Sequence, residues 1–312
     1  MRIKNYSIYL RNAAVLAGCF GILVSCNKDM GTDIGVPKVD IPGPVKVLSL
    51  GVDELPTGRA TTEVPSTGKV GFFMGTDNGY TAAYNRPGTY TSGAWSPTNQ
   101  LWLSNNVATL AVYYPYTTFG TTKSEIPLTA SLRTDDGKDI SAAKFTANNQ
   151  STITKVTMTQ VYSRLVIKVI KSADYTGGAG MWTAITLEGD QVYTSGAYNP
   201  IAETYTGTKG KFSPPAFSKT LEAVTWGSSV ASVDMLLIPD VTMTGNLTIG
   251  LTVDTRPLQA TLTSLPEGRF APGKVQTVML TVSPLGLIVN QVSITDWKDA
   301  TGGNVTIETE NP

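Results

Sequence analysis

The chain has 312 residues, with 24 basic and 24 acidic groups and no basic run; that balance speaks against a nucleic acid partner. Apolar residues make up 41% and charged residues only 15%, so there is ample material for buried cores and none of the composition of a disordered chain. Histidine is absent, which removes the commonest general base and metal ligand and argues against hydrolase triads and zinc sites, while a carboxylate-based glycosidase stays open.

The first segment, MRIKNYSIYLRN, carries Arg2, Lys4 and Arg11 and no acid, and the apolar stretch after it is too short to span a bilayer. It reads as an export signal. Leu23-Val24-Ser25-Cys26 looks like the site at which a bacterial lipoprotein receives its diacylglycerol and is cut. Leu16-Ala17-Gly18-Cys19 is a second match, closer in sequence, but it leaves too few apolar residues after Arg11. Residues 1–25 are therefore expected to be a lipoprotein signal peptide, with lipidation at Cys26 and anchoring in the outer membrane. Removing them takes away three basic groups and leaves 24 acids, so the mature chain is mildly acidic. No cysteine follows Cys26, so the body has no disulfide and no thiol nucleophile.

Residues 26–44 have Gly, Pro and Asp without periodicity and read as a flexible tether. From residue 45 short β-like runs alternate with turn clusters, and no helical period appears. In VKVLSLGV (45–52), Lys46, Leu48, Leu50 and Val52 share one face by the period of two, with the last three expected in the core. A Pro/Gly-containing stretch then presents Arg59. VGFFMG (70–75), LWLS (101–104) and VATLAVYYPY (107–116) continue the series. Between them, residues 76–99 hold Tyr80, Tyr84, Tyr90 and Trp95, of which Tyr84 and Trp95 are candidate glycan contacts. Asp135 to Asp139 lacks the ligand spacing of an EF-hand and reads as a solvated hairpin loop.

A boundary is expected near residue 150, in polar FTANNQSTITK. SRLVIKVIK (163–171) places Leu165, Ile167 and Val169 on one face and Val166 and Ile170 on the other, the pattern of a central strand. Gly177 to Gly180 reads as a flexible turn, since no strand–GxGxxG–helix context supports a nucleotide site. Further strands follow, closing with LIVNQVSITDW (287–297) and NVTIET (304–309). In the former, Ile288, Val292 and Ile294 are placed on one face; in the latter, Val305 and Ile307 alternate with polar residues. Many short strands with regular turn signals imply an all-β protein built of sandwiches.

Several stretches in this order carry a resemblance: SCNKD, the strand followed by Arg59-Ala60, AVYYPY, SRLVIKV, RFAPGKVQTVMLTVS and VSITDW. Together the chain resembles the fimbrillin family of Bacteroidetes, the type V pilin subunits. The resemblance implies two tandem transthyretin-like Greek-key β-sandwich domains, expected at 45–150 and 151–285, with 286–312 as C-terminal strands and candidate donor arm. It also implies export as a lipoprotein, a cut at Arg59 by an arginine-specific surface protease, and loss of the first strand. A neighbouring pilin subunit would refill the groove, with Ile288, Val292, Ile294, Val305 and Ile307 as donor candidates. The tail NVTIETENP departs from that pattern in being short and weakly apolar. The expected function is thus structural and adhesive rather than enzymatic, with no cofactor and no metal. The alternative is a non-polymerising surface lipoprotein that binds glycans.

Overall fold

The computed structural model describes residues 40–53, 62–133, 139–151, 153–190, 192–227, 230–239 and 245–297. Short runs rich in Val, Ile, Thr and aromatic residues, bounded by Gly, Pro and Asn, form strands as the two-residue period requires. In chain order the first are β1 (Gly43–Pro44), β2 (Val47–Val52), β3 (Thr62–Glu63), β4 (Val70–Met74), β5 (Ala83–Thr91), β6 (Ala94–Pro97), β7 (Trp102–Leu103) and β8 (Ala108–Tyr114). They continue with β9 (Ile126–Thr129), β10 (Ser131–Leu132), β11 (Ser141–Ala147) and β12 (Ile153–Gln160). The remainder comprises β13 (Ser163–Lys171), β14 (Met181–Glu188), β15 (Tyr193–Asn199), β16 (Thr204–Lys209), β17 (Lys219–Thr220) and β18 (Ala231–Leu237). The last four are β19 (Leu247–Val253), β20 (Arg256–Leu262), β21 (Lys274–Ser283) and β22 (Gly286–Asp296).

The protein is all-β, with sheets packed face to face over apolar cores. In the first half one sheet runs β12-β11-β8-β4-β5-β6-β2-β3, and β12 also pairs with β2. The hydrogen-bonded ring therefore closes, and β2 is the strand that closes it. Inside lies a core that includes Val45, Val47, Leu50, Val52, Val70, Phe72, Trp95, Leu110 and Met158. In the second half a five-stranded sheet, β10-β18-β13-β21-β22, packs on a four-stranded one, β17-β14-β19-β20. The expected central strand is central: β13 lies between β18 and β21, and Leu165, Ile167 and Val169 are fully buried.

A third core joins the halves, with Phe73, Tyr113, Ile126, Leu128, Tyr162, Tyr198, Val275 and Trp297 among its members. It explains why β4 and β8 read as continuous apolar runs. Phe72 points into the first core and Phe73 into the seam, as do Val112 and Tyr113 respectively. Gly71 is required here: a Cβ at this position would stand 1.9 Å from the Tyr113 ring.

The sequence boundary near 150 falls one strand early. β12 follows it, yet pairs with β11 and β2 of the first sheet. The halves also interlock: β9 and β10, which precede that boundary, pair with β15 and β18 of the second half. Local composition does not encode this exchange, because sheet membership is set by partners distant in sequence.

Candidate strand-exchange site

β2 owes its position to backbone pairing on both sides. Val47 to Val52 run parallel to Ile153 to Met158 of β12, and the Asp53 N–H continues the ladder to the Met158 carbonyl at 2.7 Å. On the other side Val47 faces Trp95 of β6, while Gly51 and Val52 face Glu63 and Thr62 of β3. The Val64 N–H donates to the Leu50 carbonyl at 2.9 Å, and the Val45 N–H to Leu101 at 2.9 Å. Where pairing with β6 lapses, a groove of about 360 Å³ opens, lined by Leu48, Ser49, Glu63, Ser66, Tyr90 and Trp95 among others.

The face of β2 that is buried differs from the sequence expectation. Val45 and Val47 are 0% exposed and Leu50 and Val52 are 1% and 4%, but Leu48 is 46% exposed. The alternation changes phase between Val47 and Leu50. Leu50 and Val52 are in the core as expected, whereas Leu48 faces out and Val45 and Val47 take the inward places.

The final residues of the expected tether are docked. β1 pairs with β7, the Asp40 carboxylate accepts from the Asn105 N–H at 2.9 Å, and the Asn149 side-chain amide donates to Asp40 and to the Ile41 carbonyl. Cys26 and Arg59 lie outside the described residues, as do Val305 and Ile307.

Among the described strands β22 lies at the edge of its sheet, paired antiparallel with β21 from Gly286↔Ser283 to Asp296↔Lys274. A bulge leaves Asn290 between Gln291↔Met279 and Val289↔Leu280, and the Thr281 hydroxyl donates to Asn290 Oδ1 at 2.7 Å. The bulge separates the donor candidates: Val292 packs on the second core, as do Leu287 and Val289 of the face opposite in expectation, while Ile288 is 50% exposed. Ile288 therefore does not share the face of Val292. Just beyond β22, Trp297 is held in the seam, with the Arg133 and Arg164 guanidinium carbons 5.7 and 5.9 Å from its ring centre. Arg164 forms a two-pronged pair with Asp234, at 2.9 and 2.6 Å.

The aromatic pair singled out for glycan contact is not a surface platform. Trp95 is 2% exposed and belongs to the first core, against Tyr90 at 5.5 Å. Tyr84 is half-buried beside Phe73 at the seam. Asp139, expected in a solvated loop, is buried and paired with Arg133 at 2.7 Å. The expected flexible turn at Gly177–Gly180 is tied down instead. The Asp254 carboxylate accepts from the backbone N–H of Gly180 and Met181 at 2.8 Å each and from the Tyr175 hydroxyl at 2.9 Å.

Among known proteins, a sequence family described as fimbrillin-like matches residues 58–297. No curated protein matches the chain. Among solved structures, a putative cell adhesion protein from Bacteroides ovatus superposes with a TM-score of 0.56 at 16% identity, over 82% of this chain and 98% of that one. A putative cell adhesion protein from Bacteroides uniformis gives a TM-score of 0.55 at 16% identity, over 82% of this chain and 99% of that one. These likenesses concern the fold. With more than half of its length matched by the family and its architecture shared with those structures, the chain belongs to the fimbrillin-like family.

Proposed function

We propose that this chain is a structural subunit of a cell-surface fimbria, exported as a lipoprotein through Cys26 and assembled by protease-triggered strand exchange. In this reading an arginine-specific surface protease cuts after Arg59, the segment carrying β1 and β2 leaves, and a strand from another pilin subunit takes the place of β2. The observation that carries it is the position of the 45–52 segment: its strand β2 closes the first ring, and together with Val45 just ahead of it the segment buries four apolar side chains.

The energetics favour assembly once β2 is gone. Four buried Val/Leu side chains at about 1.5–3 kcal/mol each correspond to about 6–12 kcal/mol gross. That is comparable to the net stability of a whole domain, about 5–15 kcal/mol. The open groove would also expose a row of unpaired backbone groups along β12, which an incoming strand satisfies by β-augmentation. While β2 remains attached, the same groove is filled and the subunit stays single during export.

The test is to treat the folded mature chain with an arginine-specific protease, weigh the product and image it by electron microscopy. A cut after Arg59 followed by filaments is expected, and Arg59→Ala should stay monomeric. Filaments formed equally well by uncut Arg59→Ala protein would sink the reading.

A further inference from the structure

Large apolar side chains are exposed together at one end of the first half. Ile41 is 73% exposed, Trp102 57% and Val107 45%, and Pro42 and Pro44 are exposed beside them. Pro44 is the cross-strand partner of Trp102 in the β1–β7 pair. Asp40, next to Ile41, accepts from the Asn105 N–H at 2.9 Å, and Asn105 lies in sequence between Trp102 and Val107. Tryptophan is a residue that folds mostly cover, and clustered exposed apolar groups mark a surface that meets a partner or a membrane.

The exposure is not that of a loose end. The Asn149 side-chain amide donates to the Ile41 carbonyl at 2.9 Å, and that of Asn78 to the Val107 carbonyl at 2.7 Å. Asn106 donates in turn to the Asn78 carbonyl at 3.1 Å. Leu103, the neighbour of Trp102, is fixed in the first core. Uncharged amides therefore pin the backbone while the apolar side chains stay in solvent.

The occupant follows from where the chain enters the fold. Cys26 stands fourteen residues before Asp40, and Ile41 comes next. At about 3.3–3.6 Å per residue that segment spans at most about 50 Å. A lipid on Cys26 thus draws this end of the molecule toward the bilayer. Tryptophan settles at the boundary between headgroups and acyl chains, and apolar area buried there reinforces an acyl anchor.

We propose that Ile41, Trp102 and Val107 form a membrane-contact surface, on which the uncut, lipidated subunit rests against the bilayer that holds its anchor. The inference rests on lipidation at Cys26 in the reading above and adds the face that meets lipid. Ile41, Pro42 and Pro44 precede Arg59, so a cut there removes the anchor and breaks up the contact together.

The test reconstitutes the full lipidated chain, its lipid established by intact mass, in phosphatidylethanolamine/phosphatidylglycerol vesicles with plain or brominated acyl chains. Emission from Trp102 is taken as the difference between the chain and Trp102→Phe. It is expected to fall by about half or more with brominated chains. Ile41→Asp, at an exposed position, should abolish that fall and leave urea unfolding unchanged. An anchored chain whose Trp102 is not quenched overturns the membrane contact and leaves lipidation standing. So does Trp102 emission that shifts to the blue with protein concentration in the absence of vesicles, which assigns the patch to a second copy. A chain that carries no lipid defeats the lipidation reading, and the contact falls with it.

Discussion

The segment 45–52, whose strand β2 is paired along both edges, buries Val45, Val47, Leu50 and Val52, whereas β22 is hydrogen-bonded to β21 alone among the described strands and buries none of its residues. Spacing decides which side chains share a face, and neighbours decide how much of that face leaves water. Burial scales with the area covered, not with the residue type. A strand paired on both edges and seated in a core is costly to lose; a half-buried edge strand is less so.

A matched pair of truncations sets the two strands furthest apart. Leu50→Ala should lower the unfolding free energy by about 2–5 kcal/mol, the range for a fully buried leucine. Val292→Ala on half-buried β22 should cost only about 1 kcal/mol. Urea unfolding of both variants measures this, and equal losses would erase the distinction between the strands.

Alkaline unfolding separates β2 from the seam. Burial pushes the Tyr113 hydroxyl up to about 12, and burial with nearby Glu203 pushes Tyr198 up to about 12. Burial also raises Tyr205 and Tyr162. An unfolded tyrosine ionises near about pH 10, so the stability from these groups is complete below that pH and is lost as pH rises toward about 12. Because the tyrosines belong to the seam, the loss should persist after the Arg59 cut. Tyr113→Phe should shrink it, and should itself cost about 1–3 kcal/mol at neutral pH, since Tyr113 donates to Asn85 at 2.6 Å in a buried pair.

Asp254→Asn probes the second half alone. Burial opposes ionisation there, but the Met181 and Gly180 N–H groups and the Tyr175 hydroxyl hold the carboxyl below the usual carboxylate range. A depressed carboxyl stabilises above the unfolded value, about pH 3.9, and that contribution is lost as pH falls through the folded one. The variant should lose about 1–2 kcal/mol at neutral pH and show a shallower acid limb. The smallest effect is expected at Leu48, which is 46% exposed: Leu48→Ser should move stability by no more than about 0.5 kcal/mol. A larger loss would mean that β2 buries the face first read from its alternation.

The all-β class, a strand within 45–52 and the central place of β13 were legible in the amino-acid pattern, because period-two runs between Gly, Pro and Asn are local properties of the chain. It also ordered the stretches that resemble fimbrillins. That Trp95 is core, that Leu48 faces out and that β12 belongs to the first half emerges from long-range packing. It alone decided that β9 and β10 cross into the second half. Those outcomes depend on residues about a hundred positions away, as in the pairing of Val47 with Ile153. A side chain's face follows from local alternation until a bulge or a distant partner resets its phase, and neither leaves a local mark in the sequence.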